Sequence, residues 1–239
     1  PSSCSRRTGS RGDYPHMNVM RCCAVALTWA AFGSPALAHP HAWIETRSDV
    51  VFDDEGKIAA INIEWDFDQG YSEMAVEGLD ENGDGYHSAG ELRPLARENL
   101  IALKDYDYFV KARAATAAVK YGEVTQYGMI YSNGTIKMHF TLPLAEPVDP
   151  FAAEFVYRIY DPSFYIAIDF AEHNPLALLG NPPEACSIEL RPAPTGAEIE
   201  TTRDMLAEQD KDWQPPEEDD FGSMFAQPVA VICKPKTGA

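Results

Sequence analysis

The sequence predicts a mainly β protein, an antiparallel β-sandwich interrupted by an EF-hand-like helix–loop–helix. Three observations predict it. Short alternating apolar runs recur from His41 to Arg191, separated by turn residues. One stretch breaks that pattern, with Leu92, Leu95, Leu100 and Leu103 spaced as on a helix. Directly before it, Asp80–Glu91 follows the pattern Asp-x-Asn-x-Asp-Gly with Glu at position twelve.

The first strand is read as His41–Phe52 and the second as Lys57–Phe67, joined through Asp53-Asp54-Glu55-Gly56 into a hairpin. Residues 71–79 are helix-compatible, and a second helix runs from Ser88 to about Tyr106, so the insertion occupies about 70–107. Strands then resume at Phe109–Val119, Gln126–Ser132, Thr135–Leu144, Ala153–Tyr160, Ser163–Phe170 and Cys186–Arg191. Asn133-Gly134 between two alternating runs is a strong hairpin signal. Ala197–Gln209 reads as a helix, 212–222 as an acidic, proline-containing loop, and Pro228–Lys234 as a last strand. The expected organisation is a leader over 1–38, a sandwich over 39–192 and an acidic C-terminal segment over 193–239.

The leader follows from charge and hydropathy. From Met17, a short region with Arg21 precedes an apolar run, Cys22 to Phe32, then Gly33, Pro35 and Ala36-Leu37-Ala38. Basic, apolar, then small-x-small is the order of a secretory signal peptide, with cleavage expected after Ala38. Residues 1–16 precede that start and are set aside. The apolar run is too short for a permanent membrane span, so no stable membrane insertion is expected. Cleavage removes Arg6, Arg7, Arg11, Arg21 and Asp13 and takes the formal charge from -18 to -21. That excess argues against nucleic acid as a partner and is compatible with divalent cations.

Three of the five cysteines leave with the leader, and Cys186 and Cys233 remain. In an oxidising compartment they most simply form one disulfide, worth roughly 3–4 kcal/mol for a loop of that length.

The loop residues suit calcium. A hard cation takes six to eight oxygens, and Asp80, Asn82 and Asp84 offer them at every second position. Gly85 makes the sharp turn, Tyr86 supplies its carbonyl, Ser88 acts directly or through water, and Glu91 closes the shell. His87 replaces the aliphatic residue that pairs with a partner loop, and the sequence contains no second loop. The expectation is a structural calcium site, with His87 half-exposed and not a ligand.

Export would leave His39-Pro40-His41-Ala42-Trp43 at the N-terminus. The α-amine and ring of His39 form a chelate, and His41 falls on the same side of an extended chain. Imidazole suits nickel, cobalt, zinc and copper. Pro40 has no amide proton, which excludes square-planar binding through deprotonated amides. His139 and His173 are candidate further ligands. No nucleophile constellation or phosphate loop occurs, and no enzymatic activity is expected.

Taken together, His-Pro-His-Ala-Trp-Ile at 39–44, Val51–Gly56, Glu64–Asp68, the loop Leu79–Leu92, Phe140–Leu144 and Tyr160–Tyr165 resemble a bacterial exported family. It is catalogued as domain of unknown function 1007, and the resemblance covers roughly residues 36–192. It implies a periplasmic protein, since members often accompany nickel/cobalt-type transporters. The expected function is a periplasmic calcium-binding accessory that handles a transition metal beside an inner-membrane transporter. The alternative is a structural or interaction module whose calcium loop only stabilises the fold.

Overall fold

The computed structural model describes Pro40 and residues 42–209, together with Trp213, Pro216 and residues 220–234. The expected leader over 1–38, His39, His41 and most of the acidic stretch 210–219 lie outside the described residues.

The chain is mainly β, with two sheets. β1 (Ala42–Phe52) and β2 (Ile58–Phe67) form the first hairpin. Its turn is fixed locally: Asp53 Oδ1 accepts from the backbone N–H of Glu55 and Lys57, and Gly56 takes φ 73°. α1 (Gln69–Ala75) and α2 (Ala89–Lys104) follow. Next come β3 (Val110–Ala114), β4 (Ala117–Ala118), β5 (Tyr127–Ser132), β6 (Thr135–Val148) and β7 (Phe155–Ile159). β8 (Ile166–Phe170), β9 (Leu176–Gly180), β10 (Cys186–Leu190), α3 (Ala197–Ala207), α4 (Gly222–Phe225) and β11 (Val229–Cys233) complete the order.

One sheet runs β5-β6-β2-β1-β8, with β9 also paired to β1, and the other runs β10-β11-β7-β3-β4. The β5–β6 hairpin turns at Asn133 and Gly134, both at positive φ, as its Asn-Gly signal requires. Most pairings are antiparallel. β8 and β9, however, run parallel to β1, against Ala42–Thr46 and Ser48–Phe52 respectively. Where β1 has only Arg47, the edge has Ala171–Pro175, so the two strands are one sheet edge broken by a bulge.

Other expectations are corrected. Phe109–Val119 is not one strand. A 3-10 turn ends at Phe109, and Ala115 at φ 52° folds β3 back onto β4. β9 was not foreseen, because Leu176–Leu179 is a short apolar run without alternation. The Ser163–Phe170 strand starts only at Ile166, since the side chain of Asp161 ties residues 161–166 into a turn. Phe221 and Gly222, expected in a loop, lead into α4.

Both sheets feed one core. Ile44, Val50, Ile61, Ile63, Trp65 and Phe140 come from the first, and Val110, Phe155, Tyr157 and Val231 from the second. Two polar residues of β1, Thr46 and Ser48, are buried within it. Ser48 Oγ and Tyr157 OH lie 2.7 Å apart and link the sheets, and burial pushes the Tyr157 phenol far above its ordinary pKa. Tyr157→Phe leaves Ser48 unpartnered, and we expect a loss of about 1–3 kcal/mol in urea denaturation. An unchanged midpoint would show that the bond contributes nothing.

The insertion is seated by its own residues. Leu92, Ala96, Leu100 and Leu103 form the buried stripe of α2. Ser72 of α1 is fully buried; its hydroxyl donates to the Asp68 carbonyl and accepts the backbone N–H of Ile136 on β6. No helix among the described residues is long and apolar enough to cross a membrane.

Candidate functional site

The loop between α1 and α2 is organised around its own acidic side chains. Asp80 Oδ1 accepts from the N–H of Gly83 at 2.8 Å and of Asp84 at 3.2 Å, and Oδ2 accepts from Gly85 at 2.9 Å. Asn82 Oδ1 accepts from Asp84 N–H, and Asp84 Oδ1 from Tyr86 N–H, both at 2.8 Å. Successive side-chain-to-backbone turns wind the chain around these oxygens. Gly83 and Gly85 supply the two left-handed positions, at φ 71° and 82°.

Glu91 closes the far end. Its Oε2 accepts from the backbone N–H of Ser88 at 2.8 Å and from the Ser88 hydroxyl at 2.7 Å. Ser88 Oγ accepts the Glu91 N–H in return, a capping box that starts α2. Glu91 Oε1 reaches across to the N–H groups of Glu81 and Asn82. The Ser88 backbone N–H, then its hydroxyl, hold the Glu91 carboxyl below its usual range. Tyr86 is exposed, so its carbonyl is its only contribution to the loop's oxygens.

His87 is half-buried and points back to the protein. Its Nε2 lies 3.2 Å from the Val76 carbonyl, and its ring meets Tyr131 of β5 edge-on at 5.0 Å. The residue that faces a partner loop in paired loops here fastens the loop to α1 and the sheet.

The donor set is all oxygen, and Asp80 Oδ2, Asn82 Oδ1 and Asp84 Oδ1, each accepting one N–H, retain a lone pair that suits a hard cation. Among the described residues no group of three or more His, Cys, Asp or Glu side chains is clustered for a metal ion. In the loop, Glu91 spends both oxygens on N–H and O–H donors, so closing on an ion requires it to exchange those partners.

His139 and His173, the two histidine candidates among the described residues, are not brought together. His139 is exposed on the outer face of β6, opposite Glu64 of β2 and Gly128 of β5. Its imidazole lies across Gly128, where any side chain would collide with it. His173 is exposed in the bulge Ala171–Pro175 at the sheet edge. β2 and β1 lie between them, about 14 Å of strand spacing in all. One ion cannot be held by both without moving the bulge.

Cys186 and Cys233 form the disulfide, directly opposite each other in the β10–β11 ladder. Trp43 is 51 % exposed and shares the outward face of β1 with Glu45 and Arg47. The period-two alternation of β1 carried that signal.

These residues define a β-rich protein of two sheets with a helix–loop–helix docked on one of them and a disulfide between Cys186 and Cys233. The chain belongs to the family described as Protein of unknown function (DUF1007), whose model matches residues 24–233. It is similar to an uncharacterized protein of Haemophilus influenzae, 23% identical over 205 residues, covering 83% of this chain and 92% of that protein.

Proposed function

We propose that this is an exported, periplasmic calcium-binding protein that serves as a metal-handling accessory of a nickel/cobalt-type transporter. In this reading the two sheets are a β-sandwich, and α1, the loop and α2 are an EF-hand-like insert. The arrangement of Asp80, Asn82 and Asp84 around the Gly83 and Gly85 turns carries it, because it points side-chain oxygens into one loop. The transition-metal part rests on His39 and His41 with the α-amine that export would expose. Either His139 or His173 remains a candidate further ligand, but the two cannot serve one ion together. The reading contains no catalytic step.

Isothermal titration of protein processed after Ala38 tests both parts. Calcium should bind, and magnesium far more weakly. Nickel, cobalt, zinc or copper should bind to the native N-terminus and not to His39→Ala/His41→Ala. Equal binding by that variant removes the N-terminal site, and no calcium heat removes the loop.

One observation favours a second reading. His87 anchors the loop to Val76 and Tyr131, which suits a calcium site that only stabilises a structural or protein-interaction module. Calcium binding without transition-metal binding would select it.

A further inference from the structure

β8 is the outermost strand on its side of the first sheet, and no described strand pairs with its outer edge. Its register with β1 fixes its faces. Ile166, Ile168 and Phe170 lie level with the buried Ala42, Ile44 and Thr46, whereas Ala167 and Asp169 lie level with Trp43 and Glu45; of these two, Asp169 is exposed and Ala167 is buried at 8 %. A cavity of about 490 Å³ is lined by all of Ile166, Ala167, Ile168 and Asp169. The hollow runs along the edge that no described strand pairs, and Ala207 of α3 with Phe225 and Ala226 beside it form its far wall. Apart from the Ile166 N–H, which Asp161 accepts, the backbone N–H and C=O groups there are a template for another extended chain.

The two sides of this edge differ in chemistry. Phe164 and Phe225, with ring centroids 4.4 Å apart, also wall the cavity. Phe164 is held at φ 56°, a left-handed conformation that bulky residues seldom adopt. Asp161, 5 % exposed, holds that turn by accepting from the N–H of Ser163 and Ile166. On the outward side an open trough of about 560 Å³ is lined by Trp43, Glu45, Asp66, Asp68, Asp169 and Glu172. Glu45 and Asp66 pair with Arg47, and Asp68 accepts the N–H groups of Trp43 and Tyr71. Asp169 and Glu172 form no hydrogen bond or ion pair among the described residues. The nearest cation on the cavity side, Arg203, is paired with Glu200 and lies over the Phe225 ring. Two uncommitted carboxylates therefore stand beside a half-exposed indole, along a strand with an open edge.

The geometry points to the outer edge of β8 as the docking site for an extended segment of a partner protein in which basic and apolar residues alternate. The segment adds to the sheet as a strand. Its apolar side chains enter the cavity against Ile166, Ile168 and the two phenylalanines. Its lysines or arginines face Asp169 and Glu172 and can lie over Trp43. Charge complementarity selects a basic segment, because among the described residues the outward side carries the carboxylates of Asp169 and Glu172, and Arg47 there is already paired with Glu45 and Asp66.

The test uses the peptide acetyl-Lys-Ile-Lys-Leu-Lys-amide, titrated calorimetrically into the purified protein with EDTA present. Two companions are its glutamate-for-lysine counterpart and a version with N-methylated backbone amides of unchanged charge. The basic peptide should bind and the acidic one should not. N-methylation should weaken binding by about tenfold or more, because two or three backbone hydrogen bonds are lost. Asp169→Asn/Glu172→Gln should weaken it by about tenfold with the melting temperature retained, since both side chains are exposed. Equal binding of the N-methylated peptide would overturn the proposal by reducing the contact to general charge attraction. Unchanged binding to Asp169→Asn/Glu172→Gln, or no binding of the basic peptide, would overturn it as well.

Discussion

Cys186→Ser combined with Cys233→Ser is expected to destabilise the fold by about 4 kcal/mol, from the unfolded-chain entropy of a closure spanning 47 residues. At a slope of about 2 kcal/mol/M this moves the urea midpoint by roughly 2 M. The location of the bridge explains why so much depends on it. β11 comes from the far end of the chain yet lies inside its sheet, between β10 and β7. Val229, Ala230 and Val231 are buried there, at 0 to 1 % exposure. α4 leads directly into β11, and Gly222 lies so close to the Asp161 carbonyl that no side chain fits. Loosening β11 therefore also releases the turn that holds Phe164. A loss below about 1 kcal/mol would mean that the β10–β11 and β11–β7 ladders hold the strand unaided.

Calcium at about a hundred times its Kd is expected to raise the melting temperature by roughly 5–10 °C, and Glu91→Gln to remove most of that rise. Glu91 alone reaches both ends of the loop, through Glu81 and Asn82 on one side and Ser88 on the other. An amide in its place keeps the shape and loses the charge and one acceptor. The response should also depend on pH in a defined direction. The N–H and O–H groups of Ser88 depress the folded-state pKa of Glu91. Its contribution is therefore complete above the unfolded glutamate value and is lost as pH falls through the lower folded value. Calcium needs the same carboxylate ionised, so the calcium-induced rise should fade over that acidic window. A rise that survives Glu91→Gln would place the ion elsewhere.

Elements fixed by neighbouring residues were legible in the sequence. Asp53 and Gly56 define one turn, Asn133-Gly134 another, and Ser88 with Glu91 the start of α2. Each is decided by side chains within four residues of the backbone they bind. The disulfide was legible because only two cysteines follow residue 38. Ala115 was not, since an alanine turn at φ 52° gives no Gly, Pro or Asn signal. β9 was not, because four consecutive apolar residues fit a buried strand or a helix equally well.

By itself, then, the sequence determined the β-rich class, the oxygen-bearing loop and the bridging cysteines, all of which depend on residue type at short spacing. Only the tertiary structure decided that β8 and β9 join β1 in parallel, that His87 faces Tyr131, and that His139 and His173 stand two strands apart. It also decided that Trp43 lines one trough with Asp169 and Glu172, more than 120 residues later in the chain, beside a strand edge that no described strand pairs. The reason is pairing between distant strands. Local preferences fix which side of a strand each residue faces, but the partner strand is chosen by burial across the whole core.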